Sequence, residues 1–274
     1  MISFPNCKIN LGLNILRRRD DGFHDLETVF YPVALKDVLE LIRTDHAETD
    51  IQYSASGFTI EDETENNLCI RAYKLLKKNF PELSSIKMHL HKNIPMGAGL
   101  GGGSADAAFT LKLLNNKFQL NLSDEQLLNY AAFLGSDGPF FIMNKSCFAT
   151  GRGEILTPID LDLSAYNIVL INPGIHINTG WAFTQLDPAV PVKNITAIIH
   201  QPISSWKNEL VNDFEKPVFK LYPQLQQIKE ELYSKGALYA AMSGSGSTVF
   251  GIFNKELIPD LDLPPEYFIK TVPA

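Results

Sequence analysis

Pro95-Met96-Gly97-Ala98-Gly99-Leu100-Gly101-Gly102-Gly103-Ser104 lies between a strand candidate at 86–92 and a run, Ala105, Ala107, Ala108, Leu111 and Leu114, that suits a helix. Five glycines in the seven positions 97–103 are costly in conformational entropy unless the backbone must come close to something. A loop without obstructing side chains, opening a helix whose positive end faces it, makes an anion site, and a triphosphate is its natural guest. A flexible connection is the plainer alternative. Gly97 to Gly102 also satisfies G-x-G-x-x-G, a weak signal alone. A dinucleotide fold would follow the helix with a strand carrying an acidic residue, whereas Leu122-Ser123-Asp124 begins a further helix. No G-x-x-x-x-G-K-[ST] is present, so the loop points to a third kind of nucleotide fold.

Upstream, Ile9, Leu11, Leu13 and Ile15 alternate with Lys8, Asn10, Gly12 and Asn14, the period of a half-buried strand with Lys8 and Asn10 on one face. Arg17 to Gly22 is a charged turn, and Phe23-His24 leads into a second apolar run through Tyr31, giving a hairpin or a long β-turn-β unit. Val38 to Ile42 is another strand candidate, and Asn67 to Phe80 reads as a helix stopped by Pro81. Ser123 and Gln126 form a capping box for a helix that ends at Gly135. Asp137, two residues before Pro139, falls at the N-cap of a short helix whose amides would lower its pKa and keep it ionised. Further on, Val169 to Ile171 is a short buried strand, 208–235 is helical with a break at Pro223, and Met242-Ser243-Gly244-Ser245-Gly246-Ser247 is a second glycine-rich turn. The one candidate boundary, Asp160 to Ala165, predicts two domains, 1–160 and 161–274.

The 274 residues carry 45% apolar and 20% charged side chains and a net charge of −7 without a Lys/Arg cluster, so nucleic acid is not an expected partner. No run of eighteen apolar residues and no charged leader occurs, which predicts a cytoplasmic protein without a membrane partner. Cys7, Cys69 and Cys147 are odd in number and far apart, and read as buried thiols. His89 and His91 share a strand face but have no third ligand, so no metal site is assigned and solvated or hydrogen-bonded strand histidines are the reading.

Three segments together, Lys8-Ile9-Asn10, the Pro95 to Ala105 loop and Ser243-Gly244-Ser245-Gly246, resemble the GHMP kinase superfamily. With Asp21-Gly22-Phe23-His24 and Gly135-Ser136-Asp137 added, the chain is similar to the branch acting on a cytidyl-diphospho sugar alcohol, with ATP and Mg²⁺ as donor. The resemblance implies an α+β, two-lobed fold: a nucleotide-binding N-terminal lobe like ribosomal protein S5, a ferredoxin-like C-terminal lobe, and the active site between them. It assigns Asp137 as the acceptor of the hydroxyl proton and Lys8 as its cationic partner. A helix cap and a solvated strand face are the plain alternatives for these two. Pro95 through Ala105 would hold ATP, with Ser104 assisting a phosphate or Mg²⁺, and Asn67 would lie near adenine, though an N-cap explains Asn67 equally well.

On the substrate side the resemblance implies His24 reading cytosine, Phe183 stacking on the base, Asn10 bonding the substrate, and Gly244 shaping the mouth. The resemblance also implies Phe23 stacking on cytosine; it stands where a tyrosine is usual, so stacking survives but a hydroxyl contact is lost. Cys7 and Gly138 replace a usual alanine and a usual apolar residue, and either change would loosen local packing. Expected partners are the small molecule and ATP, with the chain a monomer or weak homodimer. Another alcohol such as homoserine or mevalonate, or a non-catalytic sensor, are the competing readings; the Asp21 to His24 turn opposes the first, and intact Lys8 and Asp137 oppose the second.

Overall fold

The computed structural model describes residues 1–44, 49–60 and 66–274. Its strands are β1 (Ile2–Ser3), β2 (Asn6–Arg18), β3 (His24–Lys36), β4 (Val38–Arg43), β5 (Ile51–Gly57), β6 (Ile86–Lys92), β7 (Cys147–Thr150), β8 (Ile155–Pro158), β9 (Tyr166–Asn172), β10 (Tyr239–Met242), β11 (Val249–Asn254) and β12 (Phe268–Pro273). The helices are α1 (Leu68–Asn79), α2 (Gly102–Phe118), α3 (Asp124–Leu134), α4 (Gly138–Met143), α5 (Thr179–Thr184), α6 (Ile195–Ile199), α7 (Ile203–Trp206), α8 (Glu215–Leu221) and α9 (Pro223–Ser234). The chain forms two compact units, each assembled from separated stretches: Met1–Cys7, Leu35–Met96 and Gly101–Asn144 in the first, and Lys8–Ala34, Gly97–Leu100 and Lys145–Ala274 in the second.

The first unit is a sheet of order β1-β4-β6-β5 with α1 to α4. Alternation in β4 and β6 buries Leu39, Leu41, Ile86, Met88 and Leu90, while His89 and His91 stand on the other face. Both histidines are hydrogen-bonded as expected: His89 contacts Ser54 at 2.8 Å and Ser56 at 2.9 Å, and His91 contacts Ser56 at 2.9 Å. Strand β5 escaped the sequence reading although Ile51, Tyr53 and Ala55 alternate with Gln52, Ser54 and Ser56, because Ala, Ser and Gly make that alternation a weak strand signal. Its order comes from parallel pairing with β6, Ile51 opposite Ile86. The capping box of α3 is present, Ser123 Oγ accepting from Gln126 N and Gln126 Oε1 accepting from Ser123 N.

Inside this unit lies a charged trio with no sequence signature. Lys92, at the end of β6, is fully buried and pairs with Asp37 and, at 2.8 Å, with Asp106 Oδ2 of α2. Asp37 Oδ1 also accepts the amides of Asn93 (2.6 Å) and Ile94 (2.9 Å), the two residues before Pro95. Burial works to lower the Lys92 ammonium, and the two carboxylates overcome it and hold its pKa raised. Burial likewise drives the Asp106 carboxyl above the ordinary carboxylate range, with Lys92 pulling against it.

The second unit holds two sheets, β2-β3-β7-β8 and β10-β11-β9-β12. Its apolar cluster joins Leu13 and Ile15 of β2, Val169 and Ile171 of β9, Met242 and Phe253, with Leu225, Ile228 and Leu232 of α9. Strand β2 departs from expectation, because it is buried on both faces from Asn6 to Ile15. Lys8, Asn10 and Asn14 are interior polar groups rather than a solvated face, and each therefore carries hydrogen bonds. The 208–214 part of the expected helical stretch is largely irregular; Pro223 does mark a break, as the first residue of α9. All three cysteines are free and buried, and burial pushes the Cys147 thiol up to about 11. Among the described residues no helix is long and apolar enough to cross a membrane.

Candidate active site

The expected site residues fall in both units, and each set has its own geometry. In the second unit, Lys8 Nζ donates to Asn10 Oδ1 at 2.6 Å and to the Gly99 carbonyl at 3.0 Å, and lies 5.1 Å from the centre of the Phe30 ring. Asn10 Nδ2 donates to Thr28 Oγ1 at 3.0 Å, and Thr28 in turn donates to the Gly12 carbonyl. Ser243 Oγ accepts from Asn10 N at 3.3 Å and donates to Gly99 O at 2.9 Å, so the second glycine-rich turn is tied to both the lysine strand and the first loop.

Three successive loop carbonyls are thereby turned into protein: Ala98 O accepts from Thr248 N (3.2 Å), Gly99 O from Lys8 and Ser243, and Leu100 O from Lys8 N (3.0 Å). The chain achieves this with positive φ at Gly97, Gly99 and Gly101. A Cβ on Gly99 would come within 2.0 Å of the Ser243 carbonyl. Gly99→Ala is expected to displace the loop and weaken ATP binding at least about tenfold, given a left-handed strain of 1–2 kcal/mol before any clash. A fluorescent-nucleotide titration measures it.

Asn212 was not expected here. Its Nδ2 donates to the carbonyls of Met242 (2.7 Å) and Gly244 (2.8 Å), and its Oδ1 accepts from Phe214 N (3.0 Å). The neighbouring Asp213 Oδ2 accepts from Ile15 N at 2.7 Å. No periodicity announces such a residue; only the Asn-Asp dipeptide within an apparently helical stretch hints at it.

At the hairpin tip of this unit His24 stacks on Phe183 of α5, with centroids 4.8 Å apart and planes at 16°, and Phe183 meets Phe214 edge-on at 4.9 Å. Burial, with the charge of Arg18, holds the His24 imidazole below its ordinary pKa. Phe23 is 53% exposed and lies beneath the Arg152 guanidinium.

In the first unit, Gly101 supplies no side chain as N-cap of α2, so the leading amides of Gly102, Gly103 and Ser104 face the loop without a capping acceptor. A helix of 17 residues thus presents its positive end to an incoming anion, and a nucleotide triphosphate fits this loop. Asn67 is the N-cap of α1, its Oδ1 accepting from Cys69 N at 2.9 Å while its Nδ2 donates to Tyr53 Oη at 3.0 Å. It borders an open cavity of about 350 Å³ lined also by Tyr53, Gly57 and Phe58.

Asp137 precedes α4 at the N-cap position, but its side chain makes no capping bond, which corrects the expectation of helix amides donating to it there. Backbone at φ −79°, ψ −14° is already helical, so the carboxylate does not reach back over the first turn as an extended cap residue does. Gly138 does not loosen the packing: α4 lies so close to α3 that a Cβ there would meet the Ala131 carbonyl at 2.5 Å.

A glycine-rich loop that opens a helix with no capping side chain suits the triphosphate of a nucleotide, as a small-molecule kinase requires. Residues 67–145 match the model of the GHMP kinases N terminal domain, and 195–260 that of the GHMP kinases C terminal domain. A 4-diphosphocytidyl-2-C-methyl-D-erythritol kinase of Bacteroides fragilis is 52% identical over 272 residues, 99% of each chain. That of Chlorobium phaeovibrioides is 38% identical over 257 residues, 91% of this chain and 86% of the other. A crystal structure of 4-(cytidine 5'-diphospho)-2C-methyl-D-erythritol kinase superposes over 100% of both chains with a TM-score of 0.81 at 28% identity. The Methanococcus jannaschii mevalonate kinase, 14% identical with a TM-score of 0.72 over 100% of this chain and 98% of its own, shares the fold. The chain belongs to the GHMP kinases, and within them to the family of 4-diphosphocytidyl-2-C-methyl-D-erythritol kinases.

Proposed function

We propose that this chain transfers the γ-phosphoryl group of ATP to the C2 hydroxyl of 4-diphosphocytidyl-2-C-methyl-D-erythritol, in the non-mevalonate route to isoprenoid precursors. The observation that carries the substrate is the His24–Phe183 stack on the unit that also bears Lys8 and Asn10. A homoserine or a mevalonate offers nothing to a pair of aromatic faces, whereas cytosine does. The base stacks on the Phe183 face that His24 now covers, and the imidazole turns aside so that its ring nitrogens meet the edge of the base. Phosphoryl transfer asks mainly for positioning and charge neutralisation. In this reading the amides of Gly102 to Ser104 hold phosphate oxygens, and the cavity beside Tyr53 and Asn67 takes adenine. Lys8, fixed by Asn10 and Gly99, meets the charge on the transferred group, and Asp137 accepts the hydroxyl proton.

Mg²⁺, bound with ATP, neutralises phosphate charge. Among the described residues no three metal-ligating side chains converge, which suits an ion held chiefly by phosphate oxygens with the Ser104 hydroxyl as the protein's contribution. Phosphorus NMR of the product tests the reaction. A new phosphomonoester on an intact cytidine diphosphate ester is expected, and release of cytidine phosphates instead would refute it.

The lowered pKa of His24 keeps the ring neutral near pH 7, with one nitrogen to donate and one to accept. Acid protonates it and removes the acceptor. Affinity for cytidine 5'-diphosphate is therefore expected to stay level down to about pH 6.5 and to fall below it. His24→Phe, which keeps a stacking face but has no ring nitrogen, is expected to bind more weakly at every pH and to lose that acid limb in calorimetric titrations.

A further inference from the structure

Arg152 lies in the Gly151-Arg152-Gly153 turn between β7 and β8, within the second unit. That turn is fixed: Gly151 O accepts from Leu26 N at 2.8 Å, and Arg152 N donates to Glu154 Oε2 at 2.5 Å. The guanidinium sits over Phe23, 4.8 Å from the ring centre. Phe23 is held at both backbone groups, its N–H by Asp21 Oδ1 (3.1 Å) and its carbonyl by Arg19 N (2.8 Å), so its half-exposed ring is an ordered feature of the surface. A guanidinium on one face leaves the rest of that ring available to a ligand.

The arginines at this end of the hairpin differ in their partners. Arg17 Nε meets Asp25 at 2.6 Å, and Arg19 meets Asp21 and Asp25, each at 2.9 Å. The one ion pair of the Arg152 guanidinium among the described residues, Nε to Glu154 Oε1, is 3.5 Å long, outside the range of a good hydrogen bond. A planar fork of five donors thus stacks over Phe23, the residue before His24, and, though its charge helps the Arg19 hydrogen bond to lower the Asp21 carboxyl, it makes no good side-chain hydrogen bond among the described residues. Such a fork suits phosphate oxygens, which it meets two at a time.

We propose that Arg152 is a substrate-recognition residue whose guanidinium donates to the diphosphate of the cytidyl substrate, supplying the polar contact that the phenyl ring of Phe23 cannot. This rests on the substrate reading above. The test is calorimetric titration of the full chain, wild type, Arg152→Gln, Arg152→Lys and Arg18→Gln, with cytidine 5'-diphosphate and with cytidine, alongside thermal melts and the KM for ATP. Arg152→Gln is expected to weaken the diphosphate about tenfold or more, the size of a charge-assisted bond, and to flatten its salt dependence. Cytidine affinity, the melting midpoint and the KM for ATP should stay unchanged, with Arg152→Lys intermediate. Equal losses for cytidine and its diphosphate would show that Arg152 only props the ring and would overturn the proposal. So would an Arg18→Gln effect as large as that of Arg152→Gln, the mark of a diffuse field. A wild type that binds neither ligand would instead remove the substrate reading itself, a result visible before any variant is made.

Discussion

Replacing Asp137 by asparagine is expected to lower kcat by about 10²–10⁴-fold, with the KM for ATP within a few-fold and without the loss of stability that removing a helix cap brings. The stability half of this expectation follows from the local geometry. An aspartate that caps a helix costs about 1 kcal/mol when removed, but Asp137 makes no bond to the α4 amides. The rate half follows from its proposed role as proton acceptor, which the amide cannot take over. Single-turnover phosphoryl transfer and urea unfolding on the same preparation separate the two. A variant that loses stability and keeps its rate would make Asp137 a structural residue and leave the chemistry without its base.

Lys92→Met is expected to cost about 3–5 kcal/mol in urea unfolding, because it strands Asp37 and Asp106 inside the first unit without their cation. Asp106→Asn should cost less than half as much. Its Oδ1 is buried and makes no hydrogen bond among the described residues, and the amide leaves Lys92 paired with Asp37. Asp37→Asn should be worse than Asp106→Asn, since both Asp37 oxygens are used, one by Lys92 and the other by the amides of Asn93 and Ile94. Those amides lead directly into Pro95, so the Asp37 variant should also raise the KM for ATP.

The glycine loop, the capped helices and the hairpin were legible in the sequence because each rests on local rules: entropy at glycine, reciprocal caps at Ser123 and Gln126, alternation in β2. What was not legible depends on tertiary partners. Alternation placed Lys8 and Asn10 on one face but said nothing of the Ser243 turn that buries it. Lys92 read as one more strand residue, since nothing near it in sequence marks the distant Asp37 as its partner. Asn212 lay hidden in a stretch whose composition suits a helix, and the weak alternation of β5 becomes a strand by pairing with β6. Asp137 shows the converse error, a correct helix start from which a side-chain bond did not follow.

The substrate is the central claim, and steady-state ADP release tests it most directly: the chain with Mg-ATP and, in parallel, 4-diphosphocytidyl-2-C-methyl-D-erythritol, homoserine and mevalonate. The account predicts turnover with the cytidyl compound alone. Comparable kcat/KM for homoserine or mevalonate, or no turnover with the cytidyl compound while ATP binds, would contradict it.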